Sequence, residues 1–375
     1  MDEPKKRKIR TEFRKNREPR TRLTNFTREF EQHGFVLDES ARQERVTGKG
    51  DRTRKRTVVG QVAEPEQTGL AVNRYVDPQQ ARPGRVLLSQ GLFCQVQDEQ
   101  GGVYACTTRG LLKTMSTLQR HVVATGDQVS FRVLDADQGI IERIEPRYGV
   151  LCRTSRGRQH VIVVNVDQLL IIASAASPDL KPHLIDRLLV TAEKAGVRPL
   201  ICINKADLVD IASLQPLLGV YGQMGYAVML VSATSGLHVD RLRHYLTGRE
   251  TVVIGQSGVG KSSLLNAVQP GLDLAVRSVS AENDKGRHTT TTARLIPLQQ
   301  GGFVVDTPGI RQFQLWDVIP CEIENFFRDI RPYVHLCRFP NCTHRHEAEC
   351  AVKHAVADGW LDARRYESYC GLLES

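Results

Sequence analysis

The rhythm of apolar and polar residues changes several times along the chain. Up to residue 83 apolar positions are sparse, and basic clusters stand out at Lys5-Lys6-Arg7-Lys8 and Arg52-Thr53-Arg54-Lys55-Arg56. So little apolar surface gives a core nothing to close on, so residues 1–83 read as a basic, flexible N-terminal extension. Over 84–148 short segments alternate between apolar and polar. Strands are predicted at 84–88, 92–96, 103–106, 128–133 and 140–144, with a hairpin turn at Asp98-Glu99-Gln100-Gly101-Gly102. Five short strands suit a small all-β barrel of OB type. Residues 149–315 switch to an α/β pattern. Apolar runs recur at 169–172, 200–203, 228–231, 252–254 and 303–305. Between them lie helical periods, including 183–195 with Leu184, Ile185, Leu188, Leu189 and Ala192 on one face. That alternation implies a mostly parallel sheet covered on both faces. Residues 316–375 read as a helical subdomain, with Ala351, Val352, Ala355 and Val356 on one side of a helix.

Composition narrows the setting. A chain of 375 residues divides into several domains. No apolar run is long enough for a membrane span, and the basic N-terminus lacks the apolar core of a secretory signal, so a cytoplasmic protein is expected. The net charge of +9 favours polyanionic partners. In the barrel, Arg109, Lys113 and Arg120 could form a basic face for nucleic acid, although a barrel alone does not establish that role. Cysteines are scattered at 94, 106, 152, 202 and 321 but bunched at Cys337, Cys342 and Cys350. Bunching without an export signal points to metal rather than disulfides.

The sharpest local signal is Gly255-Gln256-Ser257-Gly258-Val259-Gly260-Lys261-Ser262. It fits the phosphate-binding loop G-x-x-x-x-G-K-[ST] and lies between an apolar strand and a helix beginning near Ser263. The glycines let backbone N–H groups face a polyphosphate, and the helix N-terminus adds a positive field. Lys261 can reach the β- and γ-phosphates, and the Ser262 hydroxyl can hold Mg²⁺. A second signal, Asn204-Lys205-Ala206-Asp207, follows an earlier strand. The Asp207 carboxylate can accept both N1–H and N2–H₂ of guanine and would reject adenine. Asn204 can order the loop and the purine edge, Lys205 can lay its stem on the ring, and Ser232-Ala233-Thr234 can offer an N–H to the guanine oxygen. In Gly286-Arg287-His288-Thr289-Thr290-Thr291-Thr292, either Thr289 or Thr290 can ligate Mg²⁺ and sense the γ-phosphate. In Asp306-Thr307-Pro308-Gly309, Asp306 suits an outer-shell contact to Mg²⁺ and the Gly309 N–H suits the γ-phosphate.

The order of these motifs is unusual, because the guanine signature precedes the phosphate loop. The same sheet can be wired this way if the chain is circularly permuted. The segment after Gly309 then runs into the C-terminal region, where nucleotide state could move it. Ile310 occupies the position at which many GTPases carry a water-orienting glutamine, so His288 is a candidate for that task. Cys337-x₄-Cys342-x-His344-x₅-Cys350 offers three thiolates and one imidazole, a set suited to structural Zn²⁺. His335, His346 and His354 are nearby competitors, His346 foremost.

Permuted guanine motifs, a preceding small barrel and a following Cys/His cluster together resemble the RsgA (ribosome small-subunit-dependent GTPase A, or YjeQ) family over roughly 84–370. The resemblance implies a monomeric GTP hydrolase with Mg²⁺ and structural Zn²⁺ on the same four ligands. It further implies partnership with the small ribosomal subunit and its rRNA, in late maturation, with hydrolysis stimulated by the subunit. Two other readings are an RNA-binding assembly factor for which hydrolysis is incidental, and a permuted GTPase of the large subunit.

If Asp207 reads guanine, Asp207→Asn weakens GTP binding and improves binding of xanthine nucleotides. Fluorescent-nucleotide titration checks this, and unchanged GTP affinity contradicts the assignment.

Overall fold

The computed structural model describes residues 7–12, 55–62, 72–74, 81–90, 93–108, 123–155, 158–272, 274, 293–306 and 320–374. The first described strands are β1 (Arg7–Glu12), β2 (Lys55–Val62) and β3 (Val72–Arg74), paired antiparallel in the order β1-β2-β3. They fall within the stretch expected to lack regular structure. Ile9, Thr11, Thr57, Val58, Val59, Val62 and Val72 supply β-branched residues. The interleaved arginines and lysines conceal that propensity from a hydrophobicity reading.

The predicted barrel is present. Its strands are β4 (Arg82–Gln90), β5 (Phe93–Asp98), β6 (Val103–Thr108), β7 (Gln128–Val133) and β8 (Gln138–Ile144). They run in the order β4-β5-β6-β8-β7, and β7 pairs back to β4, which closes the sheet. Closure removes the exposed edges. Val86, Val96, Cys106, Phe131, Ile141 and Ile144 fill the interior. Gly84 and Gly139 lie against Phe131, where an added Cβ would collide with the ring. The buried Arg147 guanidinium donates twice to Asp127, at 2.7 Å each. Asp127 also accepts the Ala124 N–H at 2.7 Å.

A hairpin follows, β9 (Leu151–Ser155) and β10 (Arg158–Val163), and then the second predicted unit. Its strands are β11 (Gln168–Ser174), β12 (Arg198–Asn204), β13 (Ala227–Leu230), β14 (Glu250–Ile254), β15 (Arg294–Pro297) and β16 (Phe303–Asp306). Strands β13-β12-β11-β14-β16 are parallel neighbours, and β15 lies antiparallel at their edge. Helices α1 (Pro182–Ala195), α2 (Gln215–Gln223), α3 (Val239–Leu246) and α4 (Lys261–Val268) cover the sheet. Along β11, Leu169 and Ile171 join the core under α1 and α2, while Leu170 and Ile172 join the one under α3 and α4. Burial on both faces explains why the strands read as unbroken apolar runs. One register pair, Arg294 with Leu88, links β15 to β4 of the barrel.

The C-terminal subdomain contains short helices α5 (Ile323–Phe326) and α6 (Arg331–Val334), then α7 (Ala351–Ala357) and α8 (Ala363–Leu373). Its core of Ile323, Phe327, Ile330, Val352, Leu361 and Tyr369 includes Val190 of α1. No described helix is long and apolar enough to cross a membrane.

An ionic cluster joins this subdomain to α1. The Arg365 guanidinium donates to Asp186 at 2.6 Å and to both oxygens of Asp329 at 2.9 Å, and stacks 4.4 Å from the Phe327 ring centre. Tyr221 donates to Asp186 at 2.9 Å. Burial draws the Asp186 carboxyl above its ordinary range, and Arg365 opposes that pull. Arg365→Leu would strand two carboxylates in a dry interface and should cost about 3–5 kcal/mol. Calorimetric melting checks this. An unchanged transition would mean that apolar packing alone holds the subdomain.

Candidate nucleotide site and metal centre

The loops that carry the nucleotide motifs leave the same end of the parallel sheet, at the ends of β12, β13 and β14. Strands β11 and β14 are adjacent, and their connections lead to opposite ends of the sheet, β11 toward β12 and β14 toward β16. A crevice at such a switch point is where open α/β sheets bind ligands. Gly255 begins the phosphate loop where a Cβ would come 2.1 Å from the Ile172 carbonyl oxygen, so this position admits only glycine. Gly258 and Gly260 lie at φ 83° and 86°, in the left-handed region. Helix α4 then begins at Lys261. The Lys261 ammonium donates to the Gly255 and Gln256 carbonyls at 2.8 Å each, which holds the charge against the loop. Ser262 and Ser263 occupy the first turn of that helix, with Gln256, Ser257 and Val259 in the loop before it.

Asn204, 1% exposed at the end of β12, braces three loops. Its Nδ2 donates to the Val259 carbonyl at 2.8 Å, and its Oδ1 accepts the Ala233 N–H at 3.3 Å. A Cβ on Gly260 would lie 2.5 Å from that same Nδ2. Lys205 has φ 60° and donates to the Gly258 carbonyl at 2.8 Å and to the Ser177 carbonyl. Ala206 is buried, and its N–H donates to the Val231 carbonyl at 3.1 Å. The Asp207 carboxylate is exposed and takes no hydrogen bond among the described residues. Ser232 is buried, and its hydroxyl accepts the Ser235 N–H at 3.0 Å. The site therefore presents an exposed carboxylate two residues beyond a lysine that bonds to the glycine loop, with both amide ends of Asn204 engaged by the protein itself.

In the C-terminal subdomain the ligand atoms of Cys337, Cys342, His344 and Cys350 all lie within 4.8 Å of one another. His344 Nδ1 is 3.4 Å from the Cys337 sulfur and 3.4 Å from the Cys350 sulfur, and those sulfurs are 3.9 Å apart. Tetrahedral zinc bonds imply edges of about 3.5 Å between sulfur and nitrogen and about 3.8 Å between sulfurs, so this set could hold zinc. Burial pushes the Cys342 thiol up to about 12, while a backbone N–H of His344 works the other way. Metal binding here would therefore release protons. His346, the foremost competitor, is exposed, as are His335 and His354.

Residues 144–316 match the family described as RsgA GTPase, and residues 83–141 match the RsgA N-terminal domain. A protein of Pseudomonas aeruginosa named small ribosomal subunit biogenesis GTPase RsgA is 41% identical over 296 residues, 78% of this chain and 85% of its own length. A Bacteroides fragilis protein of the same name is 35% identical over 78% of this chain and 96% of its own. The chain belongs to the RsgA GTPase family.

Solved RsgA-like structures agree. YjeQ from Thermotoga maritima superposes with a TM-score of 0.65 at 34% identity, covering 78% of this chain and 98% of its own. YloQ, described as a circularly permuted GTPase, gives 0.62 at 30% identity, covering 80% and 96%. Membership makes the protein a GTP-hydrolysing enzyme that uses Mg²⁺ with GTP. Within this RsgA fold the sequence reading missed Ser177, whose carbonyl receives Lys205 from a distant loop. His288, Thr289, Thr290, Gly309 and Ile310 lie outside the described residues, as do Arg109, Lys113 and Arg120. The backbone of Asp306 ends β16, opposite Arg294.

Asn204→Ala should weaken GTP and GDP binding alike, by about 1–3 kcal/mol for an unsatisfied buried group. Gly260→Ala should do the same by displacing that amide. Fluorescent-nucleotide titration with both nucleotides tests this, and a loss confined to GTP would contradict a bracing role.

Proposed function

We propose that this RsgA GTPase hydrolyses GTP on the small ribosomal subunit during its late maturation in the cytoplasm, and that the subunit stimulates hydrolysis. The observation that carries the reading is the Asn204 brace, which ties the Asn204-Lys205-Ala206-Asp207 loop to the phosphate loop in permuted order. Relatives named for small-subunit biogenesis, at 35–41% identity, supply the partner. Most of the +9 charge sits in residues 1–83, which suits an approach to rRNA phosphates.

In this reading Asp207 accepts the guanine N–H groups, while Lys205 packs along the ring. Lys261 and the loop N–H groups neutralise charge on the β- and γ-phosphates as it develops. Ser262 and one of Thr289 and Thr290 would hold Mg²⁺, helped by Asp306, and the Gly309 N–H would donate to the γ-phosphate. Ile310 cannot orient water, so His288 takes that role once the subunit is bound. Cys337, Cys342, His344 and Cys350 would hold a structural Zn²⁺ that ties the loop between the C-terminal helices.

At low salt, GTP turnover should rise by more than about tenfold with purified small subunits and stay flat with large ones. His288→Ala should lose the stimulated rate while keeping GTP binding. Turnover indifferent to both subunits would remove the stimulated mechanism. Subunit binding that ignores GTP against GDP would favour an RNA-binding assembly factor.

A further inference from the structure

The four-residue metal set has a fifth participant. His344 is fully buried, and its ring is used on both sides. Nδ1 faces the Cys337 and Cys350 sulfurs at 3.4 Å each, and Nε2 lies 3.0 Å from Oε2 of Glu324. Glu324 belongs to α5, twenty residues before His344 in the chain. The backbone around the ring is also held. His344 sits at φ 61°, and the Tyr366 hydroxyl donates to its carbonyl at 2.6 Å. A ring pinned this way cannot turn over to present Nε2 to the sulfurs without breaking the carboxylate contact.

We propose that Glu324 is the outer-sphere partner of the metal centre, fixing His344 as an Nδ1 ligand and tying the metal loop to helix α5. The proposal rests on the zinc reading above. A carboxylate accepting the far N–H of a ligating imidazole fixes its tautomer and makes the bound nitrogen a stronger donor. It also gives the metal a mechanical address. Ile323 and Phe327, flanking Glu324, pack in the core that includes Val190 of α1. Glu322, next to Ile323, pairs with Lys194 of the same helix at 3.2 Å. Metal, Glu324, α5 and α1 thus form a continuous run of contacts from the Cys/His loop to the GTPase sheet. Glu324 is a positioning residue, because it touches the ligand and not the ion.

The test uses the full chain, with zinc content, competition against a chromophoric chelator, and long-range ¹H–¹⁵N NMR of the histidine ring. Wild type should hold about one zinc, with His344 protonated at Nε2 and metal-shifted at Nδ1. Glu324→Ala should lower zinc affinity by about 10–100-fold. Glu324→Gln, whose amide oxygen can still accept the N–H, should recover part of that loss. A wild-type chain without zinc would overturn the metal reading and this proposal together. Zinc-loaded wild type with Nε2 on the metal, or Glu324→Ala binding as tightly as wild type, would overturn the proposal and leave the metal reading standing.

Discussion

A buried side-chain amide has to be satisfied at both ends, and Asn204 meets that demand by joining three loops that the chain makes far apart. Its donor end holds the phosphate loop 55 residues later, and its acceptor end holds the loop after β13. Neither partner can drift without leaving a polar atom unpaired in a dry place. Gly260 packs so closely on the same nitrogen that the phosphate loop must keep its left-handed turn there. The spacing between the 204–207 loop and the glycine loop is thus set by one amide and by strand spacing. Because both are spatial constraints, the order in which the strands are written does not matter, and permutation leaves the site intact.

What permutation does change is what the ends of the sheet are attached to. Here the chain continues from β16 toward α5 and the Cys/His subdomain, which returns to dock on α1. That helix has two jobs. Ile185, Leu188 and Leu189 face the sheet, while Asp186 and Val190 face the subdomain. Just before it, the Ser177 carbonyl receives Lys205 of the 204–207 loop. The 204–207 loop is thus bonded to the turn that precedes α1, and the C-terminal unit packs on α1 itself.

Much of this was legible in the sequence because it depends on local pattern. Strands buried on both faces announce themselves as apolar runs, and the glycine loop is fixed by spacing alone. The barrel strands emerged from alternation within a few residues of their ends. What stayed hidden depends on pairs. Hairpin β9–β10 is too polar to stand out, and β15 is four residues long and defined by its partner β16. Arg365 and Asp186 are 179 residues apart, and nothing near either one marks the other. His344, by contrast, was already named from the sequence, and its burial beside the three sulfurs while His346 is exposed agrees with that choice.

The metal set and the Arg365 cluster solve different problems in the C-terminal unit, and the difference is physical. Cys337 to Cys350 spans irregular chain with little apolar surface of its own, and Leu336 and Phe339 even point outward at 60% and 47% exposure. A loop of that kind would gain a covalent-strength tie from a cation held by the three sulfurs and one imidazole. Arg365 ties α8 to the segment after α5 through Asp329 and Phe327, and reaches outside the subdomain to Asp186 of α1. Of the two, the Arg365 cluster is the one that bonds directly to α1. If the set holds a cation, a chelator should unravel the loop while Arg365 still grips α1 through α8, and removing Arg365 should loosen the docking of a unit whose Cys/His set stays assembled.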